Sequence, residues 1–67
     1  MKKYDVIFRV DGQEFGFTVL ARNYQSACNK AVRYAQSMTG DKTITVNNLV
    51  TVEYLGFYLS RVFVSVK

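Results

Sequence analysis

The dipeptide Asp11-Gly12 constrains this chain more than any other feature of its sequence. It stands between two runs of period two. Tyr4, Val6, Phe8 and Val10 alternate with Asp5, Ile7 and Arg9, and Phe15, Phe17, Val19 and Ala21 alternate with Glu14, Gly16, Thr18 and Leu20. Asp-Gly supplies the positive φ angles of a two-residue type I′ turn, whose twist matches that of paired strands. A loop this short fixes the register. Phe8 is then expected opposite Phe15, Val6 opposite Phe17 and Tyr4 opposite Val19 on one face, with Arg9 opposite Glu14 and Asp5 opposite Thr18 on the other.

After Arg22 the period changes. Asn23 is a good N-cap, and Tyr24, Ala27, Cys28, Ala31, Ala35 and Met38 recur at spacings of three and four, which predicts an amphipathic helix ended by Gly40. Three alanines and a cysteine make that stripe small, so the helix can sit close to a sheet face filled by Phe8, Phe15 and Phe17. Beyond it, β-branched residues predict a strand over residues 42–46, a turn at Asn47-Asn48, and a second strand over 50–55. After Gly56 comes a last strand over 57–66. The expected fold is α+β: β-β-α-β-β, with one further strand left open, a single antiparallel sheet with one helix packed on one face. Residues 1–67 make one domain, since a chain of this length has no room for two cores.

The missing residue types exclude much chemistry. Without histidine there is no Ser/His/Asp or Cys/His catalytic unit and no imidazole metal ligand. Cys28 is the only cysteine, so it forms neither an internal disulfide nor a cysteine zinc site, and it reads as a small buried hydrophobe. Of the five carboxylates, Asp11, Glu14 and Asp41 have turn or pairing roles, and nothing sets the separation of Asp5 and Glu53 for acid–base work. Neither an enzyme nor a bound cofactor or metal is expected. Charges at Asp5 and Arg9 interrupt the apolar stretch that a secretion signal needs, and no uncharged run reaches the roughly 18 residues of a membrane span. A cytoplasmic protein without membrane contact is expected.

Two surfaces remain as candidates for a binding function. The last strand is apolar on both sides, and one helix covers only one face of a sheet, which leaves an open face for a partner or for a second copy of the chain. There Tyr58, Arg61 and Phe63 form the candidate partner-binding set, Tyr and Arg being over-represented among residues that carry binding energy. The second surface is electrostatic. The formal charge is +4, and no acidic residue occurs in residues 23–40. Arg22, Lys30 and Arg33 therefore form a candidate nucleic-acid-binding set.

Particular residues also resemble a known family. Lys2-Lys3-Tyr4, Phe15, Ala21, the Ala27 and Ala31 pair, and Gly56-Phe57 followed by Arg61-Val62 resemble the small phage-encoded inhibitors of host RNA polymerase found in short-tailed coliphages. The resemblance spans residues 2–34 and 56–67, with 35–55 as an insertion. It implies a compact plug that occupies a host protein complex and blocks promoter engagement through arginines of its last strand, of which Arg61 is one. Phe63 stands where the second arginine falls, and the helix is basic where those inhibitors carry an acidic strip. Three functions are thus expected in turn: an inhibitor that occupies a host macromolecular machine, a basic domain that binds DNA or RNA, and a homodimeric interaction module.

Overall fold

The computed structural model describes residues 1–57 of the chain. Strands β1 (Lys2–Val10) and β2 (Gln13–Ala21) form the predicted hairpin, followed by helix α1 (Tyr24–Thr39), a short 3-10 turn at Val46–Asn48, and strand β3 (Leu49–Phe57). The three strands make one antiparallel sheet in the order β2-β1-β3, and α1 lies across one of its faces. This is an α+β fold. Every cross-strand pair expected from the Asp11-Gly12 turn is present, and both turn residues have positive φ, 53° and 80°.

The core lies between sheet and helix. Tyr4, Val6, Phe8, Val19 and Ala21 are buried from the sheet side, and Ala27, Ala31 and Ala35 from the helix side. Phe8 stacks with Phe15 and Phe17 at ring-centroid distances of 5.7 and 5.9 Å, and the alanines give this aromatic layer room beneath the helix axis. The small stripe is shorter than its periodicity implies: Tyr24 and Met38, at its two ends, are 59% and 60% exposed. Both helix ends follow the sequence. Asn23 Oδ1 accepts from the Ser26 N–H at 2.8 Å, and Gly40, left-handed at φ 75°, donates its N–H to the Gln36 carbonyl at 2.9 Å.

The segment after the helix corrects the sequence reading. Residues 42–46 form no strand. The Asp41 carboxylate accepts from the Thr43 N–H (2.9 Å) and hydroxyl (2.5 Å), Thr45 and Asn48 cap the 3-10 turn reciprocally, and the Asn48 amide donates to the Arg9 carbonyl at 3.1 Å. Short polar side chains that bond to nearby backbone hold this stretch in turns against its β-branched composition. Ile44, 1% exposed, plugs the core from the loop. Nor does Gly56 end a strand. β3 runs through it to Phe57, and its pairing with β1 slips twice, passing over Val50 and Leu55. The rest of the expected last strand, with Tyr58, Arg61 and Phe63, lies outside the described residues.

On the sheet face away from α1, alternation places Lys3, Asp5, Ile7 and Arg9 of β1 between Glu14, Gly16, Thr18 and Leu20 of β2 and Thr51 and Glu53 of β3. Ile7 and Leu20 stand on this far face, each half-buried. Leu55, 48% exposed, lies in the bulge between Tyr54 and Gly56, and apart from Gly16 the other residues named on this face are polar. Arg9 and Glu14 form an ion pair on it, and Asp5 and Glu53 are cross-strand neighbours. No helix among the described residues is long and apolar enough to cross a membrane.

Candidate functional site

A helix advances 100° per residue, so the burial of Ala27, Ala31 and Ala35 turns Asn29, Arg33 and Ser37 outward. Arg22 stands between the end of β2 and the N-cap Asn23, and Lys30 leans to the β2 side. The result is a shallow depression of about 340 Å³ lined by Met1, Arg22, Ser26, Asn29, Lys30 and Arg33, with Ala21 beneath. The three cations singled out in the sequence thus meet on one concave surface. A second depression, toward the helix C-terminus, is lined by Arg33, Gln36, Ser37 and Lys42. Arg33 belongs to both, so the basic surface runs without a break from Arg22 to Lys42.

These cations differ in availability. The Lys30 ammonium donates to the Leu20 carbonyl at 2.6 Å and fastens α1 to β2, which leaves two of its N–H bonds for another acceptor. Arg22, Arg33 and Lys42 are exposed and make no hydrogen bond or ion pair with any described residue. Sequence reading found Arg22, Lys30 and Arg33 but missed two things. The tether of Lys30 depends on how far the helix is shifted across the sheet, and the share of Lys42 depends on a loop that was read as strand.

Charge is segregated in the folded chain. Asp5, Glu14 and Glu53 all lie on the sheet face away from the helix, and Asp11 is at the hairpin tip. Only Asp41 borders the basic surface, in the loop beside Lys42. The hydroxyl and then the backbone N–H of Thr43 hold its carboxyl below the usual carboxylate range. The charged side chains on α1 itself, Lys30 and Arg33, are both cations, so the outer side of the helix carries positive charge only.

On the other flank of α1, toward β3, is a cleft of about 350 Å³ whose walls are Tyr24, Cys28, Val46, Leu49, Val50 and Val52, with the polar Gln25, Asn29 and Thr51 also lining it. Cys28 is buried there as a free thiol, in keeping with its reading as a small hydrophobe. Tyr58, Arg61 and Phe63 belong to residues 58–67 and lie outside the described residues. No protein-family model matches the chain, and no match was found among curated proteins or solved structures.

Proposed function

We propose that this chain is a non-enzymatic binding domain that engages nucleic acid through the outer side of α1, with Arg22, Lys30 and Arg33 on the phosphate backbone. The observation that carries this reading is the convergence of those three cations on one depression free of carboxylates. Lys42 extends the same surface, and the carboxylates on the far face favour approach of a polyanion from the helix side. A cytoplasmic setting belongs to the same proposal, since there a lone thiol such as Cys28 stays reduced.

Salt dependence tests it. Each phosphate neutralised on B-DNA releases counterions and contributes about −0.9 to the slope of log affinity against log salt, so three contacts give about −2.7 and a roughly 40-fold loss between 50 and 200 mM. Fluorescence anisotropy with a labelled duplex is expected to show this loss. Affinity that is flat with salt, or no binding at 50 mM, would overturn the reading. The other expectation, occupation of a host protein complex such as RNA polymerase through Tyr58, Arg61 and Phe63, predicts a different result. A protein complex captured from bacterial lysate would survive nuclease treatment and be lost on substitution of Arg61 and Phe63. A doubled mass in light scattering at micromolar concentration would instead favour the homodimeric module.

A further inference from the structure

The nucleic-acid reading leaves open which form of nucleic acid is bound and whether bases are read. We infer that α1 is a recognition helix that seats in the major groove of duplex DNA, with Asn29 and Arg33 aimed at base edges and Arg22, Lys30 and Lys42 on the flanking phosphates. This inference rests on the binding reading above and goes beyond it, taking Arg33 from the phosphates to a base edge and setting Lys42 in its place.

Four observations carry it. The first is the composition of the outward row. Asn29 and Arg33 are one helical turn apart, both are exposed, and neither side chain has a hydrogen-bond or ion-pair partner among the described residues. Their chemistry is that of major-groove readout, Asn matching the N6 and N7 edge of adenine and Arg the O6 and N7 edge of guanine. Gln36, the other amide toward the end of the helix, is already taken up by the Ile44 carbonyl at 2.8 Å. The second observation is shape. Ser26 and Ser37 stand beside the two readers, and Gln25, one turn before Asn29, is the one long exposed side chain in their row, a further amide able to bond in the groove. A helix about 10–12 Å across fits a groove about 12 Å wide.

The third is the placement of the cations. Arg22 precedes the helix, Lys30 is held on its β2 flank by the Leu20 carbonyl, and Lys42 follows its C-terminus, so positive charge brackets the readers along the axis and on one side. The sixteen residues of α1 span about 24 Å, roughly seven base-pair steps of duplex at 3.4 Å each. The fourth is the absence of carboxylates in residues 23–40, where one would face phosphate at close range. Duplex RNA does not fit this picture, because its major groove is too deep and narrow for side chains to read.

The test begins with selection of the full chain on a randomised duplex DNA library. Anisotropy titrations of the selected site, a scrambled duplex and a duplex RNA follow, with thermal melts as the folding control. Wild-type protein is expected to prefer the selected site to the scrambled one and to bind duplex RNA more weakly. A bidentate contact discriminates by about 5- to 150-fold, so Arg33→Ala and Asn29→Ala should each remove a preference of that order at one position. Arg33→Lys should restore charge without the fork and leave the preference low. Arg22→Ala should weaken all duplexes alike and lower the salt slope by about one.

The inference is overturned, while the reading beneath it stands, if binding is steeply salt-dependent but Asn29→Ala and Arg33→Ala weaken every sequence equally. It is overturned in the same way if duplex RNA binds as tightly as DNA. Both fail together if no salt-dependent binding is seen. The substituted side chains are exposed and without described partners, so unchanged melting temperatures keep these outcomes separate from unfolding.

Discussion

Along the side of α1 that meets the sheet, Ala27, Ala31 and Ala35 have no exposed surface at all, while on the opposite side the side chains of Asn29 and Arg33 bond to no described residue. The two sides share one backbone and answer to different constraints. On the inner side, the size of each residue is dictated by Phe8, Phe15 and Phe17 beneath it, and exchange for anything larger meets a closed space. On the outer side Lys30 and Gln36 make bonds that hold the helix to Leu20 and Ile44, but nothing in the fold explains why Asn29 and Arg33 are present and carboxylates are not. Residues that packing leaves undetermined are where a binding function can be written without cost to the fold. That is why the outer side, rather than the larger apolar stripe, carries the functional proposal.

The contrast fails most visibly if the inner side proves tolerant. Phe8→Ala removes a ring with no exposed surface that stacks on both Phe15 and Phe17, and is expected to cost about 3–5 kcal/mol. A domain of this size has roughly 3–10 kcal/mol of stability in total, so urea titration should find that variant largely unfolded. Ala31→Leu probes the same contact from the helix and should cost about 1–3 kcal/mol by overpacking. A neutral Ala31→Leu would mean that the helix rides loosely on the sheet, and the assignment of its outward residues would lose its basis.

The start of the helix serves both sides at once, and a pair of variants there sharpens the comparison. Asn23→Ala removes the acceptor for the Ser26 N–H and should cost about 1 kcal/mol, read as a lower urea midpoint. Asn23→Asp keeps the cap, because Asp and Asn are about equal in that position. It also sets a carboxylate next to Arg22, so stability should stay near wild type while duplex affinity falls. If Asn23→Asp left affinity unchanged, the basic depression would not be where phosphate binds.

Legibility divided along a different line. In the hairpin, turn chemistry and period two are independent signals that agree, so the pairing from Lys2–Ala21 to Val10–Gln13 could be read residue by residue. The caps Asn23 and Gly40 were equally plain. From Asp41 to Asn48 the signals conflict. Thr43 and Thr45 are β-branched and favour strands, yet their hydroxyls and backbone also bond locally to Asp41 and Asn47, and the local bonds win. Of the candidate site, the grouping of Arg22, Lys30 and Arg33 was legible because it follows from helical spacing just after the cap. The tether from Lys30 to Leu20 and the joining of Lys42 through Arg33 were not, because no local period encodes where a helix lies across a sheet.

The smallest expected effect concerns the loop that holds Lys42 at the edge of the basic surface. The ionised Asp41 carboxylate accepts from the Thr43 hydroxyl and N–H, which lowers its pKa in the folded state below the ordinary 3.8. The unfolded chain then binds more protons near that value. The stability this group contributes is therefore complete above the unfolded pKa of 3.8 and is lost as pH falls through the lower folded value. Thr43→Val removes the hydroxyl, the larger of the two causes, and keeps the backbone bond. The variant should melt slightly below wild type at pH 7, and the two should converge as the pH is lowered beneath 3.8. Because the Asp41 carboxylate lies at the surface, where solvent screens it, the gap should be small, well under those of the core and cap variants. A gap that persisted unchanged to the acid limit would show that Thr43 acts through the loop's packing instead of the carboxylate. The separation between residues that hold the fold and residues that hold charge would then break down at the end of α1 nearest Lys42.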